Sequence, residues 1–175
     1  MNIRTAKQED AESIALLHAE SWRVAYRGML RDEFLDGEII ADRMGTWQQR
    51  LTAPKENQLT LVALEDERII GFACAFGNED ATWGTLLDNL HVRTERKRQG
   101  VGRLLMKGVA RWTHHHYPDS GLFLWVLEAN QSARRFYESL GAQDKGNSVW
   151  EPPGGGSLVR LRYSWPNLEP LLSIE

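Results

Sequence analysis

Hydrophobic and polar positions follow two periods along the chain. Apolar positions at helical spacing predict helices at residues 9–26, 39–51, 101–117 and 131–140. Apolar or alternating runs predict strands at 2–5, 59–64, 69–76, 86–92, 121–128 and 158–165, and we expect residues 143–150 to form the last pair of strands with 158–165. Because strands and helices alternate over most of the chain, we expect an α/β fold with a mixed sheet.

A strand, a basic turn and a helix follow one another within residues 86–107. The turn over 93–103 contains five basic residues and one acidic residue, a local charge of +4 in a chain of net charge −3. Gly100 and Gly102 lack a Cβ, so a ligand can approach the free backbone N–H groups of the first helical turn. Together with the positive end of the helix dipole, these donors predict a phosphate site.

Two common phosphate loops do not fit this turn. A Walker loop requires Gly-Lys-Ser or Gly-Lys-Thr, whereas Gly102 is followed by Arg103. A dinucleotide fingerprint requires a third glycine where Leu105 stands. The phosphate group must therefore belong to another class of ligand.

The remaining pattern, Lys97-x-x-Gly100-x-Gly102 after a strand that ends at Val92, resembles the pyrophosphate motif of the GCN5-related N-acetyltransferase (GNAT) family. The family commonly has Arg or Gln where Lys97 stands, and Lys is still a phosphate cation. Residues 124–142, with the pattern Val-x-x-x-Asn-x-x-Ala-x-x-Phe-Tyr-x-x-x-Gly, are similar to its second coenzyme motif. Taken alone, the second pattern is also an N-capped helix with an apolar stripe and a C-terminal glycine.

The resemblance implies a GNAT fold in a single domain over residues 1–175. This is a central, mixed, mostly antiparallel twisted sheet of about seven strands with splayed fourth and fifth strands, flanked by about four helices. It also implies acetyl-CoA as co-substrate, its pantetheine arm paired with the backbone of 90–92. The coenzyme-binding residues it implies are Leu90, His91, Val92, Lys97, Arg98, Gln99, Gly100, Val101, Gly102, Arg103, Asn130, Ala133, Phe136 and Tyr137.

The family's chemistry is direct attack of an amine on the thioester in a ternary complex. Tyr137 stands at the position of the family's general acid. Packing of an aromatic ring in the core would also explain a tyrosine at this position. Leu86 stands where many members have Glu, so we expect Asp88, two residues on and on the same strand face, to act as base or relay. His91 is a competing candidate for the base only if a β-bulge turns its side chain to that face. The alternative that Asp88 anchors the basic turn or a neighbouring helix remains open.

The similarity to bacterial acetyltransferases includes residues 22–28 and 162–165. We expect a small-molecule primary amine as acceptor, bound by Trp22, Tyr26, Arg27 and Asn89, because aromatic and guanidinium groups suit a compact, partly apolar or anionic amine. Packing between helices is the alternative for the aromatic residues. A protein N-terminus or lysine is the alternative acceptor, and an acyl-CoA-binding domain without turnover is the alternative function.

Composition and charge narrow the number of domains, the cellular location and the kinds of partner that we expect. A chain of 175 residues with 42% hydrophobic and 26% charged residues is typical of one globular domain. No apolar run approaches 18 residues and the N-terminus has no secretory segment, so we expect a cytoplasmic protein without a membrane partner. The net charge of −3 argues against nucleic acid as partner, and a homodimer remains open.

Neither the cysteine nor the histidine run predicts a reactive or metal site. Cys74 is the single cysteine and stands in an apolar strand, so we expect a buried, inert thiol. His114, His115 and His116 are consecutive in a predicted helix and point about 100° apart, so they cannot close on one ion. We therefore expect no metal.

Overall fold

A computed structural model describes residues 1–153 and 155–174. The sequence predicts a flexible loop over 152–156, from its prolines and glycines, and a short amphipathic tail over 166–175, and of these segments Gly154 and Glu175 lie outside the described residues. Its strands are β1 (Asn2–Thr5), β2 (Gln58–Glu65), β3 (Arg68–Asp80), β4 (Gly84–Val92), β5 (Leu122–Leu127), β6 (Gln143–Trp150) and β7 (Leu158–Trp165). Its α-helices are α1 (Ala11–Ala25), α2 (Ile39–Thr52), α3 (Val101–His116), α4 (Gln131–Glu138) and α5 (Glu169–Leu172). Among the described helices, none is both long and apolar enough to cross a membrane.

The strands form one sheet in the order β1-β2-β3-β4-β5-β7-β6. Neighbouring strands are antiparallel except β4 and β5, which run parallel and pair only through residues 85–87 and 122–124. Beyond these residues the two strands separate and leave a gap at their C-terminal ends. The predicted mixed sheet with splayed fourth and fifth strands is confirmed, and α5 is one short helix more than we expected.

Helices pack on both faces of the sheet. α3 places Leu105, Met106 and Val109 in the core on one face, because these positions recur at helical spacing. On the other face, Ile14 of α1 and Trp47 of α2 join a second apolar cluster that includes residues of β2 and β3. The gap between β4 and β5 therefore connects two layers that the sheet otherwise keeps apart.

A β-bulge at Asp88 changes which side chains of β4 share a face. Cys74 of β3 pairs with Asn89 and Ala75 pairs with Leu87, so Asp88 has no partner in the register. One extra residue reverses the alternation of side chains that follows it. His91 therefore lies on the same face as Leu86, although their odd separation in a regular strand would put them on opposite faces.

Cys74 is buried in β3, as expected from its apolar neighbours. Burial raises the pKa of its thiol to about 11, and the Thr60 hydroxyl donates to its Sγ at 3.6 Å. The thiol is therefore protonated at neutral pH and has the character of a core side chain.

Candidate active site

The separated part of β4 leaves backbone groups without a strand partner. The Thr85 N–H donates to the Gly121 carbonyl at 3.0 Å, on the β5 side, whereas the Arg93 N–H donates to the Ile70 carbonyl at 2.9 Å, on the β3 side. Thr85 and Arg93 are separated by an even number of residues and still bond on opposite sides. The bulge between them accounts for this change.

The same alternation assigns the backbone groups near the end of β4. Counting back from Arg93, the N–H and C=O of His91 face β3, and those of Leu90 and Val92 face the gap. In agreement, a Cβ added to Gly71 of β3 would lie 3.0 Å from the His91 carbonyl oxygen. Of the three residues expected to pair with an extended ligand, His91 has its backbone paired with Phe72 of β3, whereas the backbone groups of Leu90 and Val92 face the gap.

The N-terminus of α3 has the form of an anion cradle. Gly100, its N-cap residue, has a left-handed φ of +85°, and nothing lies within 4 Å of an added Cβ. The backbone N–H groups over 98–103 donate to no acceptor among the described residues, while Lys97, Arg98 and Gln99 are exposed beside them. These donors and the helix dipole suit a bound phosphate.

The two glycines of this turn have different roles. A Cβ on Gly102 would lie 3.1 Å from Cζ of Phe136, so this glycine allows α4 to approach α3 closely. We expected Gly102 to open the backbone to a ligand. The open space lies instead at Gly100, because the space next to Gly102 is filled by the Phe136 ring.

The second motif forms the beginning and the buried face of α4. The Oδ1 of Asn130 accepts a hydrogen bond from the Ala133 N–H at 3.2 Å, which makes Asn130 the N-cap. Ala133 and Phe136 pack against the core from a partly buried position. Val101, another predicted coenzyme residue, has a buried side chain, so only its backbone N–H is available to a ligand.

Tyr137 combines a buried ring with a free phenol. Its ring contacts Phe136 and Trp165 edge to face, at centroid distances of 5.3 and 6.1 Å. Its hydroxyl has no hydrogen-bond partner among the described residues, and burial raises the pKa of Tyr137, with a further increase from Tyr26.

A pocket of about 290 Å³ lies on the α1 and α2 side of the gap. Its lining includes five residues of the sequence-based site, namely Trp22, Tyr26, Asp88, Asn89 and His91. It also includes Leu86, at the position where the family often has Glu. The structure thus brings three of the four predicted acceptor residues, Trp22, Tyr26 and Asn89, together next to the predicted coenzyme site.

Arg27 is not part of this pocket. Its guanidinium is exposed and forms ion pairs with Asp32 at 2.8 Å and Asp36 at 2.7 Å. These partners follow in the segment between α1 and α2 and occupy both ends of the guanidinium. The geometry thus gives no support to the prediction that Arg27 binds the acceptor, and the two ion pairs connect Arg27 to that segment.

Asp88 and Asn89 are linked to α2 by one arginine. Nη1 of Arg50 lies 2.8 Å from Oδ2 of Asp88 and donates to Oδ1 of Asn89 at 2.7 Å. The Asp88 carboxylate thus anchors a neighbouring helix, which is the alternative role that the sequence left open. Its second oxygen, Oδ1, has no partner among the described residues and remains available to a ligand in the pocket.

His91 contributes a neutral imidazole to the pocket wall. Its Nδ1 shares a hydrogen bond of 2.9 Å with the Ser21 hydroxyl, and its ring lies 4.5 Å from the ring of His18. Burial lowers the pKa of His91 to about 3, helped by the charges of Lys97 and Arg43. The ring is therefore uncharged at neutral pH and is a weak proton acceptor.

Sequence analysis missed several residues that line the pocket, namely Arg43, Arg50, Trp125, Trp150 and Arg160. The guanidinium of Arg43 lies 4.6 Å from the centre of the Trp22 ring and pairs with Asp42. For Arg160 the sequence offered one signal, its alternation with apolar residues in the last strand. This alternation predicts the face of the sheet on which Arg160 lies, but not which residues pack on that face.

Comparison with known proteins agrees with this geometry. The sequence model described as the Acetyltransferase (GNAT) family matches residues 9–142. The uncharacterized N-acetyltransferase YuaI of Bacillus subtilis is 30% identical over 180 residues, which cover 99% of this chain and 98% of that protein. The chain therefore belongs to the GNAT acetyltransferase family. The protein is, more particularly, an N-acetyltransferase.

Solved structures share the fold at lower identity. PaiA N-acetyltransferase from Thermoplasma acidophilum, solved in complex with coenzyme A, superposes with a TM-score of 0.72 at 20% identity, over 94% of this chain and 98% of that chain. The ribosomal-protein-alanine N-acetyltransferase of Brucella melitensis gives a TM-score of 0.69 at 16% identity, over 94% and 99%. The same arrangement of strands and helices thus occurs in both of these N-acetyltransferases, which carry different names.

Proposed function

We propose that the protein transfers an acetyl group from acetyl-CoA to the primary amine of a small molecule. The observation that carries the proposal is the continuity of three features: the open N-terminus of α3, the gap between β4 and β5, and the pocket on the far side of the gap. They match in order the phosphate, extended arm and reacting end of acetyl-CoA, followed by the acceptor. PaiA, which has the same fold, was solved with coenzyme A.

Each part of the chain has a role in this proposal. Acetyl-CoA supplies the activated acetyl thioester. The N–H groups around Gly100 bind its pyrophosphate, and the backbone groups of Leu90 and Val92 pair with its extended arm as a missing strand would. Tyr137 holds a proton on its phenol for the departing thiolate, because burial keeps the pKa of Tyr137 above its ordinary value.

The size of the pocket favours a small acceptor. A volume of about 290 Å³ is at the lower end of the range for small-molecule sites. Trp22, Tyr26 and Trp150 provide apolar walls for the acceptor. A peptide acceptor is the second candidate, since the ribosomal-protein-alanine enzyme has the same fold.

A thiol-release screen tests the proposal. Acetyl-CoA is incubated with the protein and with single amines, amino acids, aminoglycosides, polyamines or short peptides, and free coenzyme A is measured. We expect release above background with a small amine and less release with peptides. Release with peptides alone would support the second candidate. Tight acetyl-CoA binding without release in any mixture would indicate a binding domain without turnover.

We expect Asp88→Asn to reduce kcat/KM by about tenfold or more and to weaken its increase with pH. An alkyl ammonium with a pKa of about 10 must lose a proton before attack. In this proposal the proton passes, directly or through water, to Oδ1 of Asp88, which has no partner among the described residues. The pH dependence of kcat/KM for wild type and variant measures this effect.

Arg50→Met is the matched control for the anchoring role of Asp88, because it breaks the same ion pair and leaves the carboxylate. If Asp88 only holds Arg50, both variants and the double variant will lose the same activity. If Asp88 accepts the proton, Asp88→Asn will lose more, and His91→Gln will keep most of the wild-type rate. An unchanged pH profile in folded Asp88→Asn would exclude Asp88 as base.

A further inference from the structure

Three arginines line the acceptor pocket, and they differ in their partners. Arg43 is paired with Asp42, and Arg50 is paired with Asp88. Arg160 contacts no carboxylate among the described residues. The pocket therefore presents one guanidinium whose charge no acidic side chain of the described chain neutralises.

The guanidinium of Arg160 is held in place on two sides. It stacks on the Trp125 ring at 4.3 Å from the centroid, and its Nε donates to Oγ of Ser148 at 2.9 Å. Its two terminal nitrogens donate to no described residue. Burial, together with Arg162, lowers the pKa of Arg160, so its environment lacks a compensating anion. An oriented planar fork with free terminal donors is the group that binds a carboxylate through two hydrogen bonds.

The position of Arg160 complements the β4 side of the pocket. Arg160 of β7 pairs in register with Leu127, the last residue of β5. It thus lies on the β5 side of the gap, while Asp88 and His91 lie on the β4 side of the same pocket. Aromatic rings, including Trp22 and Trp150, line the space that both sides enclose. The lining has an anion-binding group at one end and a proton-accepting carboxylate at the other.

We propose that the acceptor is an amine that also carries a carboxylate, of the amino-acid type with an apolar side chain, and that Arg160 binds this carboxylate. The inference rests on the proposed function, since it assigns the substrate class of the same pocket. A zwitterion offers its carboxylate to Arg160 on one side of the pocket and its amine to Asp88 on the other. A polyamine or plain alkylamine brings only positive charge close to an unpaired guanidinium, which costs Coulomb energy in a partly desolvated site.

Matched pairs of acceptors test this assignment. Each pair is an L-amino acid and its decarboxylated amine: phenylalanine and phenethylamine, tryptophan and tryptamine, leucine and isopentylamine. The kcat/KM values are corrected for the free-base fraction of each amine. We expect wild type to prefer the amino acid of each pair. Arg160→Met should lower kcat/KM for the amino acid about 10- to 100-fold, mainly through KM, and should not lower kcat/KM for the decarboxylated amine, because the variant removes a positive charge that disfavours the amine.

Two further variants serve as controls. Arg162→Met removes a guanidinium that stacks on the same Trp125 ring, at 4.5 Å, but does not line the pocket, and it should leave the preference within about twofold. Arg160→Lys keeps the charge and loses the planar fork, so it should retain part of the preference. Thermal unfolding of each variant shows whether the Trp125 stack is needed for stability rather than for binding.

The outcomes separate this inference from the proposed function. Acetylation without preference for the amino acid, a preference that Arg160→Met preserves, or a peptide amide as better acceptor would overturn the inference and leave acetyl transfer intact. If no amine is acetylated, binding of L-phenylalanine is measured by calorimetry. Binding that Arg160→Met abolishes would support the carboxylate site and contradict the proposed function, and absence of binding would overturn both.

Discussion

Tyr137→Phe is expected to lower kcat about 10²-fold and to leave the affinity for acetyl-CoA nearly unchanged. The substitution keeps the buried ring and its contacts with Phe136 and Trp165, and removes only the phenol that protonates the thiolate. Because burial raises the pKa of Tyr137, loss of its proton should not limit the wild-type rate up to pH values of about 10. Pre-steady-state kinetics and calorimetry with acetyl-CoA separate the two quantities.

A different pair of results would assign Tyr137 to the wall of the site. If Tyr137→Phe weakens acetyl-CoA binding while turnover at saturation survives, the hydroxyl contributes to binding and another group supplies the proton. Tyr26→Phe is the control, because Tyr26 is the other phenol near the gap and burial raises its pKa to about 12. It lines the acceptor pocket and should therefore change KM for the acceptor more than kcat.

Gly100→Glu is expected to weaken acetyl-CoA binding by at least about 100-fold. The new carboxylate would stand among the free N–H groups over 98–103 and compete with the pyrophosphate for them. It would also place a negative charge beside the phosphates it is meant to exclude. Calorimetric titration with coenzyme A measures the loss.

Gly100→Ala separates charge from backbone strain in this experiment. The left-handed φ of +85° makes any residue with a Cβ costly here, by about 1 kcal/mol of stability, but no atom lies within 4 Å of the added carbon. We therefore expect Gly100→Ala to be less stable and to keep its affinity within a few-fold. Undiminished affinity in folded Gly100→Glu would reject the anion cradle.

Most of the fold could be predicted because its elements have local signals. β6 and β7 have the predicted bounds, since turn residues stand on both sides of each strand. β3 instead extends four residues past the predicted end at Phe76, to Asp80. Pairing of Asp80 with Gly84 of β4 stabilises this polar extension, and the sequence of one strand does not show such a partner.

The site was less predictable because three of its features depend on tertiary structure. The bulge at Asp88 exists only in the register of β4 against β3, and it turns the His91 side chain into the pocket. Arg27 stands next to the aromatic residues in sequence, yet two aspartates bind it outside the pocket. Arg160 comes from the far end of the chain, and the position of β7 beside β5 brings it to the pocket.

Initial velocities with both substrates varied test the central claim most directly. If the gap holds acetyl-CoA while the acceptor occupies the adjoining pocket, the acetyl group passes directly between them in a ternary complex. Double-reciprocal plots at several fixed acceptor concentrations should then intersect, and the intact mass of the protein after incubation with acetyl-CoA alone should be unchanged. Parallel plots together with an acetylated protein would show transfer through a covalent intermediate and contradict this mechanism.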